Sequence, residues 1–366
     1  MTKDIKLSKE EKMVFTLLDV VLHNEFKETC TPLFTEANDE EWKKSLRLAQ
    51  EFGVLALVCH GITLLPEDLM PNRIIKMQCI KTLYKHENLH KNYCKTIVEL
   101  EKLFNQHGIG MMVMKGVGIS AYYPIPSLRR CGDIDIYTYS LDTARMSDEE
   151  ANKKSDNIIR NLGIKVETHN YKHSCFTFNG IEIENHKCFL NIQVQKEAVE
   201  LDQLLRRIKN PQRFTFHDEY DINIASPEFN SIFIAFHAMQ HLGEVLSVYH
   251  IFDYACILKK YGMIVPKEVK AEGFLKFVNS ITSLSNKLFG MNIPVEVNEE
   301  LDKILLYDIL RNPYHNKPIP QNTIKWLIYK TKANLYSLSV SKHFVDVSLW
   351  KATKNTIVLH WKKYFG

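Results

Sequence analysis

Asp133 and Asp135, in the run Gly132-Asp133-Ile134-Asp135-Ile136, are the residues whose type and spacing most directly suggest chemistry. In an extended strand alternate side chains share a face, so the two carboxylates point one way and Ile134 and Ile136 the other. Like charges this close raise each other's pKa unless a cation sits between them. A divalent ion such as Mg2+ resolves the conflict, since it takes one or two carboxylates together with water and substrate phosphates. A neighbouring Lys or Arg then suits the rest of a triphosphate, and Lys115, Arg129 and Arg130 all lie close in sequence. The bland alternative is a pair of exposed acids that keep a strand edge soluble.

The elements that must hold these residues are legible in outline. Met111 to Met114 is continuously apolar, as in a strand covered on both faces, and Gly116 permits a sharp turn into a short helix over 117–123 that Pro124 ends. The acid-bearing strand runs to Tyr139. A helix is expected over 148–162, and strands over Ile164–Thr168, His173–Phe178 and Ile181–Asn185, the last two joined by the hairpin signal Asn179-Gly180. Before this mixed unit the patterning is helical. One helix is expected within 9–29, and another follows the cap Asn38. A long one spans Ile74 to His107, with Met77, Ile80, Leu83, Tyr84, Ile97, Leu100 and Leu103 as its apolar face. Helices return from Leu201, with starts at Ser226-Pro227-Glu228 and near Leu246. The division expected is 1–108 helical, 109–225 mixed α/β core, and 226–366 helical.

Composition bounds the function. The chain has 366 residues, 45% hydrophobic and 25% charged, which is an ordinary folded protein. It has no uninterrupted apolar run long enough to span a membrane, and its charged N-terminus lacks a signal-peptide core, so a cytoplasmic protein is expected. The eight cysteines include no CxxC pair, which disfavours a zinc ribbon and favours reduced thiols. Cys131 reads as a small packing residue in preference to a nucleophile, with no histidine adjacent in sequence. From Lys317 to Gly366 nine lysines face the single acid Asp346. Such a region is either a solvated helix face or an attractor of phosphate-rich partners.

Met114-Lys115-Gly116, Tyr123-Pro124, Arg130 and Gly132-Asp133-Ile134-Asp135-Ile136 together resemble the bacterial uncharacterised nucleotidyltransferase family, of the polymerase-β-like superfamily. Glu184-Asn185-His186 resembles its later Glu-x-His element, and His237 with His241 its two-histidine helix. The resemblance covers roughly residues 45–265. It implies an α+β fold, a small mixed-sheet nucleotidyltransferase core flanked by N-terminal and C-terminal helical regions. Two departures stand out: the wider superfamily has Gly-Ser where this chain has Lys-Gly, and the third acid is Glu in place of the more usual Asp.

The resemblance implies Mg2+ (or Mn2+) held by Asp133, Asp135 and a third carboxylate, and transfer of a nucleotidyl group from an NTP to a hydroxyl. Glu184 is the preferred third acid, with Glu182 on the same face as its rival. Lys115 and Gly116 are expected at the phosphates, where a helix N-terminus favours anions. Arg130 either neutralises the leaving pyrophosphate or pairs with an acid, and Arg129 is the weaker candidate. His237 and His241, at i and i+4, are core histidines first, pocket residues second and metal ligands last, with Asp253 available to pair with one of them. A small-molecule or protein acceptor is favoured over a nucleic acid, because the basic C-terminal region comes with no RNA-binding motif. The alternative is a nucleotide-binding or scaffold protein that keeps the fold without chemistry. Acceptor, base preference and oligomeric state are not written in the sequence.

Overall fold

The protein is described here by a computed structural model that covers residues 5–168, 170–192, 196–314 and 323–345. Five helices precede the sheet: α1 (Lys9–His23), α2 (Thr31–Thr35), α3 (Asp39–Glu51), α4 (Leu55–Thr63) and α5 (Arg73–Asn105). The mixed region follows as β1 (Ile109–Val113), α6 (Val117–Ser120), β2 (Ile134–Ser140), α7 (Asp148–Asn161), β3 (His173–Phe178), β4 (Ile181–His186), α8 (Lys196–Ile208), β5 (Gln212–Phe216) and β6 (Tyr220–Ile224). Then come α9 (Pro227–Gln240), α10 (Val248–Tyr261), α11 (Glu272–Phe289), α12 (Glu299–Arg311) and α13 (Thr323–Ser341). Apart from α13 and the few residues after it, the basic segment Lys317–Gly366 lies outside the described residues.

Local chemistry sets many of the boundaries. Ser8 with Glu11, Asn38 with Glu41 and Ser147 with Glu150 form reciprocal capping boxes at the starts of α1, α3 and α7. α1 stops at His23, inside the 9–29 stretch expected to hold a helix, because Asn24 adopts the left-handed conformation and returns its N–H to Val20. The long helix forms as expected, but its N-terminal half does not bury the expected face. Met77, Ile80 and Tyr84 are 57%, 52% and 70% exposed, whereas Ile97 and Leu100 are fully buried. Only the C-terminal half of α5 lies against the sheet.

The six strands run in the order β3-β4-β2-β1-β6-β5. β1 and β2 are antiparallel, with Val113 opposite Ile136, and β2 pairs parallel to β4, with Asp135 opposite Glu184. Asn179 and Gly180 both take positive φ and close the β3–β4 hairpin, as their chemistry requires. Two expectations are corrected. Ile164–Thr168 forms no strand and contributes the isolated bridge Glu167–Cys175. The segment after Leu201 is not purely helical, since β5 and β6 form a hairpin that pairs, through Val113 and Ile224, with β1.

The sheet separates two cores. One face carries Val113, Ile134, Ile136, Ile183 and Ile224, packed by Leu100 and Phe104 of α5 and Ile159 of α7. The opposite face carries Met112, Met114 and Tyr137 and merges with a larger core drawn from α1, α3, α4 and α9 to α12. Asp135 shares the parity of Tyr137, so the carboxylates lie on the face roofed by helices from both ends of the chain.

Candidate active site

β1 delivers Lys115, and Gly116 makes the corner behind it. Gly116 has φ +53° and ψ −117°, a combination that L side chains rarely adopt. A Cβ there would also meet the Asp133 carbonyl oxygen at 3.4 Å. α6 is a single turn, shorter than the sequence suggested, and Gly118 lets it pack so tightly that a Cβ would lie 2.7 Å from the Val113 carbonyl oxygen.

The chain then returns through β2 with Asp133 just before the strand and Asp135 within it. Asp135 is buried, and its Oδ1 accepts from Lys115 Nζ at 3.0 Å and from His186 Nε2 at 2.9 Å. Burial by itself would raise the Asp135 pKa. The Lys115 charge and the His186 hydrogen bond outweigh that and hold the carboxyl well below the usual range. Burial likewise opposes the Lys115 charge, but Asp135 more than compensates and raises its pKa.

Glu184, directly across from Asp135, lies 3.3 Å from His186 Nε2 and 3.7 Å from His173 Nε2. Burial opposes its charge, yet the His186 hydrogen bond leaves its pKa lowered. Asp133 behaves oppositely: burial, then the charges of Asp135 and Glu184, push it up to about 6. Three interacting carboxylates therefore share the patch, and one of them carries the repulsion. Glu182, the rival third acid, is exposed at its position opposite Thr177.

Asp133, Asp135 and Glu184 present oxygen ligands, the set that suits Mg2+ or Mn2+. Burial and then the two neighbouring carboxylates disfavour the Asp133 charge, a penalty that a cation beside them would relieve. Asp135 and Glu184 have ligand atoms within 4.8 Å of each other and of His186, close enough that they could share a hard divalent ion. His186 Nε2 bridges two of the carboxylates, 2.9 Å from Asp135 Oδ1 and 3.3 Å from Glu184 Oε2.

The two arginines of the loop have different surroundings. Arg130 is exposed. Arg129 is the one built in, donating to both oxygens of Asp253 on α10, Nε to Oδ1 at 3.0 Å and Nη2 to Oδ2 at 2.8 Å. Asp253 also accepts from the Tyr123 hydroxyl at 2.5 Å, so it does not pair with His237 or His241 as expected. Cys131 sits beside Arg129, and burial pushes its thiol upward in pKa, which fits a packing residue.

His237 and His241 stand with their Nε2 atoms 3.3 Å apart, and His250 of α10 joins them. Burial, followed by the nearby Lys115 charge, lowers both, His237 well below its ordinary value and His241 to about 4. α9 thus brings neutral imidazoles to the lysine side of the carboxylates, where Lys115 also lies 5.8 Å from the Phe233 ring centre. Lys172 is a further cation near this group; burial, then the Lys115 charge, lowers it to about 8. His186, Lys172 and His250 were given no role from sequence. The strand alternation of Glu184 and His186 was the signal available for His186. The other two come from elements whose placement the sequence does not state.

Comparison with known proteins adds the following. A solved structure described as an antigenic nucleotidyltransferase-like protein from Paracoccidioides brasiliensis is similar over 61% of this chain and 96% of that one, at 12% identity and a TM-score of 0.37. No curated protein matches. Among the described residues no helix is long and apolar enough to cross a membrane. Residues 38–290 match the family described as uncharacterised nucleotidyltransferase, well over half of the chain, and the protein belongs to that family.

Proposed function

We propose that the chain is a cytoplasmic, Mg2+- or Mn2+-dependent nucleotidyltransferase that moves a nucleotidyl group from an NTP to a hydroxyl and releases pyrophosphate. One observation carries this reading: Glu184 lies directly across from Asp135, beside a third acid, Asp133, whose pKa is raised by burial and then by the other two carboxylates. When bound, the divalent ions supply charge neutralisation of the triphosphate and activation of the attacking hydroxyl. Asp133, Asp135 and Glu184 would hold them. His186 fixes the orientation of Asp135 and Glu184. Lys115 would turn from Asp135 toward a phosphate as the acids become neutralised, with Gly116 allowing the backbone to approach. Arg130, exposed at the rim, is the candidate for the leaving pyrophosphate, while Arg129 holds the loop. The acceptor is a small molecule or protein in preference to a nucleic acid.

The Lys115–Asp135 ion pair favours one second reading, a nucleotide-binding protein without chemistry, in which lysine replaces the cation. Both are tested by incubating the protein with each α-labelled NTP, Mg2+ or Mn2+, and a cell extract, next to Asp133→Asn and Asp135→Asn. Label transfer by the parent alone supports the enzyme. Equal transfer by all three sinks it, and nucleotide binding without any transfer selects the second reading.

A further inference from the structure

His90 and Cys94 lie one turn apart on α5, and the turn between β5 and β6 brings His217 to them. His90 Nδ1 is 2.8 Å from His217 Nε2 and 3.5 Å from Cys94 Sγ, and the three ligand atoms all lie within 4.8 Å of one another. His90 and Cys94 are buried.

The outer partners admit two placements of the hydrogens. His217 Nδ1 faces Glu87 Oε1 at 3.2 Å, and a carboxylate only accepts, so Nδ1 carries that hydrogen. The Ser120 hydroxyl lies 2.7 Å from the Val117 carbonyl oxygen and 3.0 Å from His90 Nε2. Where it donates to His90 Nε2, His90 Nδ1–H donates to His217 Nε2 and no cation is needed. Where it donates to the carbonyl, His90 Nε2–H donates to it, and the lone pairs of His90 Nδ1 and His217 Nε2 face each other at 2.8 Å with the Cys94 sulfur beside them. A metal ion in that second arrangement engages all three ligand atoms.

We propose that His90, Cys94 and His217 form a zinc-class metal site, separate from the carboxylates, with Cys94 bound as thiolate. The i, i+4 spacing places His90 and Cys94 on one helix face. Zn–N bonds of about 2.0–2.1 Å and a Zn–S bond of about 2.3 Å set tetrahedral N···S near about 3.5 Å and N···N near about 3.3 Å. The sulfur distance already agrees, and His217 needs to withdraw by roughly half an ångström. Glu87 and Ser120 orient the two imidazoles from outside, as the second partners of metal-bound histidines do. Burial raises the Cys94 thiol pKa, so the metal and not ambient pH removes its proton, which leaves to solvent. The ion would fasten the β5–β6 turn to α5 and, through Ser120, to the helix that follows Lys115.

The test uses the full chain purified without chelator. Its metal content is expected to be about one zinc per chain, and the apo form titrated with Co2+ is expected to show a near-ultraviolet thiolate-to-cobalt charge-transfer band. Cys94→Ser removes that band. Cys175→Ser, whose sulfur neighbours His173 and Glu184, keeps it. His217→Asn, which tolerates the left-handed turn, lowers zinc to background while far-ultraviolet circular dichroism is unchanged. Glu87→Gln weakens Co2+ binding about 10–100-fold. A metal-free parent chain that gives no band means that hydrogen bonds alone hold the imidazole pair, and the proposal falls. A band that follows Cys175 instead of Cys94, or zinc content indifferent to His217→Asn, also overturns it.

Discussion

Arg129 and Asp253 meet through two hydrogen bonds, one to each carboxylate oxygen, and so tie the loop before the acid-bearing strand to α10. Both side chains are largely buried. The pair is a splint that holds the site loop against the C-terminal helices.

Breaking one side of a buried pair strands the other charge, which costs about 3–5 kcal/mol. Arg129→Ala and Asp253→Leu are each expected to lose that much in urea unfolding. Arg129→Lys restores little, because an ammonium cannot match the forked geometry. A stability of Arg129→Lys equal to the parent would show that charge alone suffices.

Gly116→Ala puts a Cβ on a residue at φ +53° and ψ −117°, with a strain of about 1–3 kcal/mol. The shift should fall on Lys115. The variant is expected to unfold at lower temperature and to transfer label more slowly. An unchanged thermal midpoint refutes the steric argument.

The choice between the two hairpin acids is decided by kinetics. Glu184→Gln is expected to slow label transfer by at least about a hundredfold, and Glu182→Gln, exposed on the same face, to leave it near that of the parent. The reverse outcome transfers the role to Glu182.

Asp308 offers a pH test remote from the carboxylates. Burial raises it to about 6, opposed by hydrogen bonds from the Gly243 N–H, the Tyr336 hydroxyl and the Asn312 amide. Because the folded pKa lies above the unfolded one, its contribution to stability is full below about pH 4 and is lost as pH rises through about 6. The unfolding free energy of the parent, measured relative to Asp308→Asn, should therefore fall by about 2–3 kcal/mol between pH 4 and pH 7. A flat difference across that window would count against the shift.

Met77→Lys and Ile80→Glu on the exposed half of α5 should change stability by no more than about 0.5 kcal/mol. A larger loss in urea unfolding would restore the buried face that the apolar spacing suggested.

What the sequence disclosed follows from the range of the interactions involved. The hairpin closed by Asn179-Gly180 was legible because its turn demands positive φ and the residues advertise it. The hairpin closed by His217-Asp218-Glu219 has a three-residue loop that also uses positive φ, 53° at His217 and 55° at Asp218, but it carries no Asn-Gly-type pair to announce it, and its strands were missed. Asp133 and Asp135 were legible because their relation is local. The Arg129–Asp253 pair spans 124 residues, and nothing at either end announces the other. The apolar spacing of α5 was read correctly as helical, yet periodicity names a face and not what covers it. For the same reason, Lys115 was assigned to phosphate without any hint that Asp135 holds it.

Leu17 of α1, Leu57 of α4, Phe233 of α9 and Phe252 of α10 belong to one core, the core that also roofs the carboxylate face. The carboxylates sit on the strands, whereas the shelter above them is spun jointly from both ends of the chain. A chimaera that borrowed one relative's helices to change what enters the site would replace half of its own foundation at the same stroke.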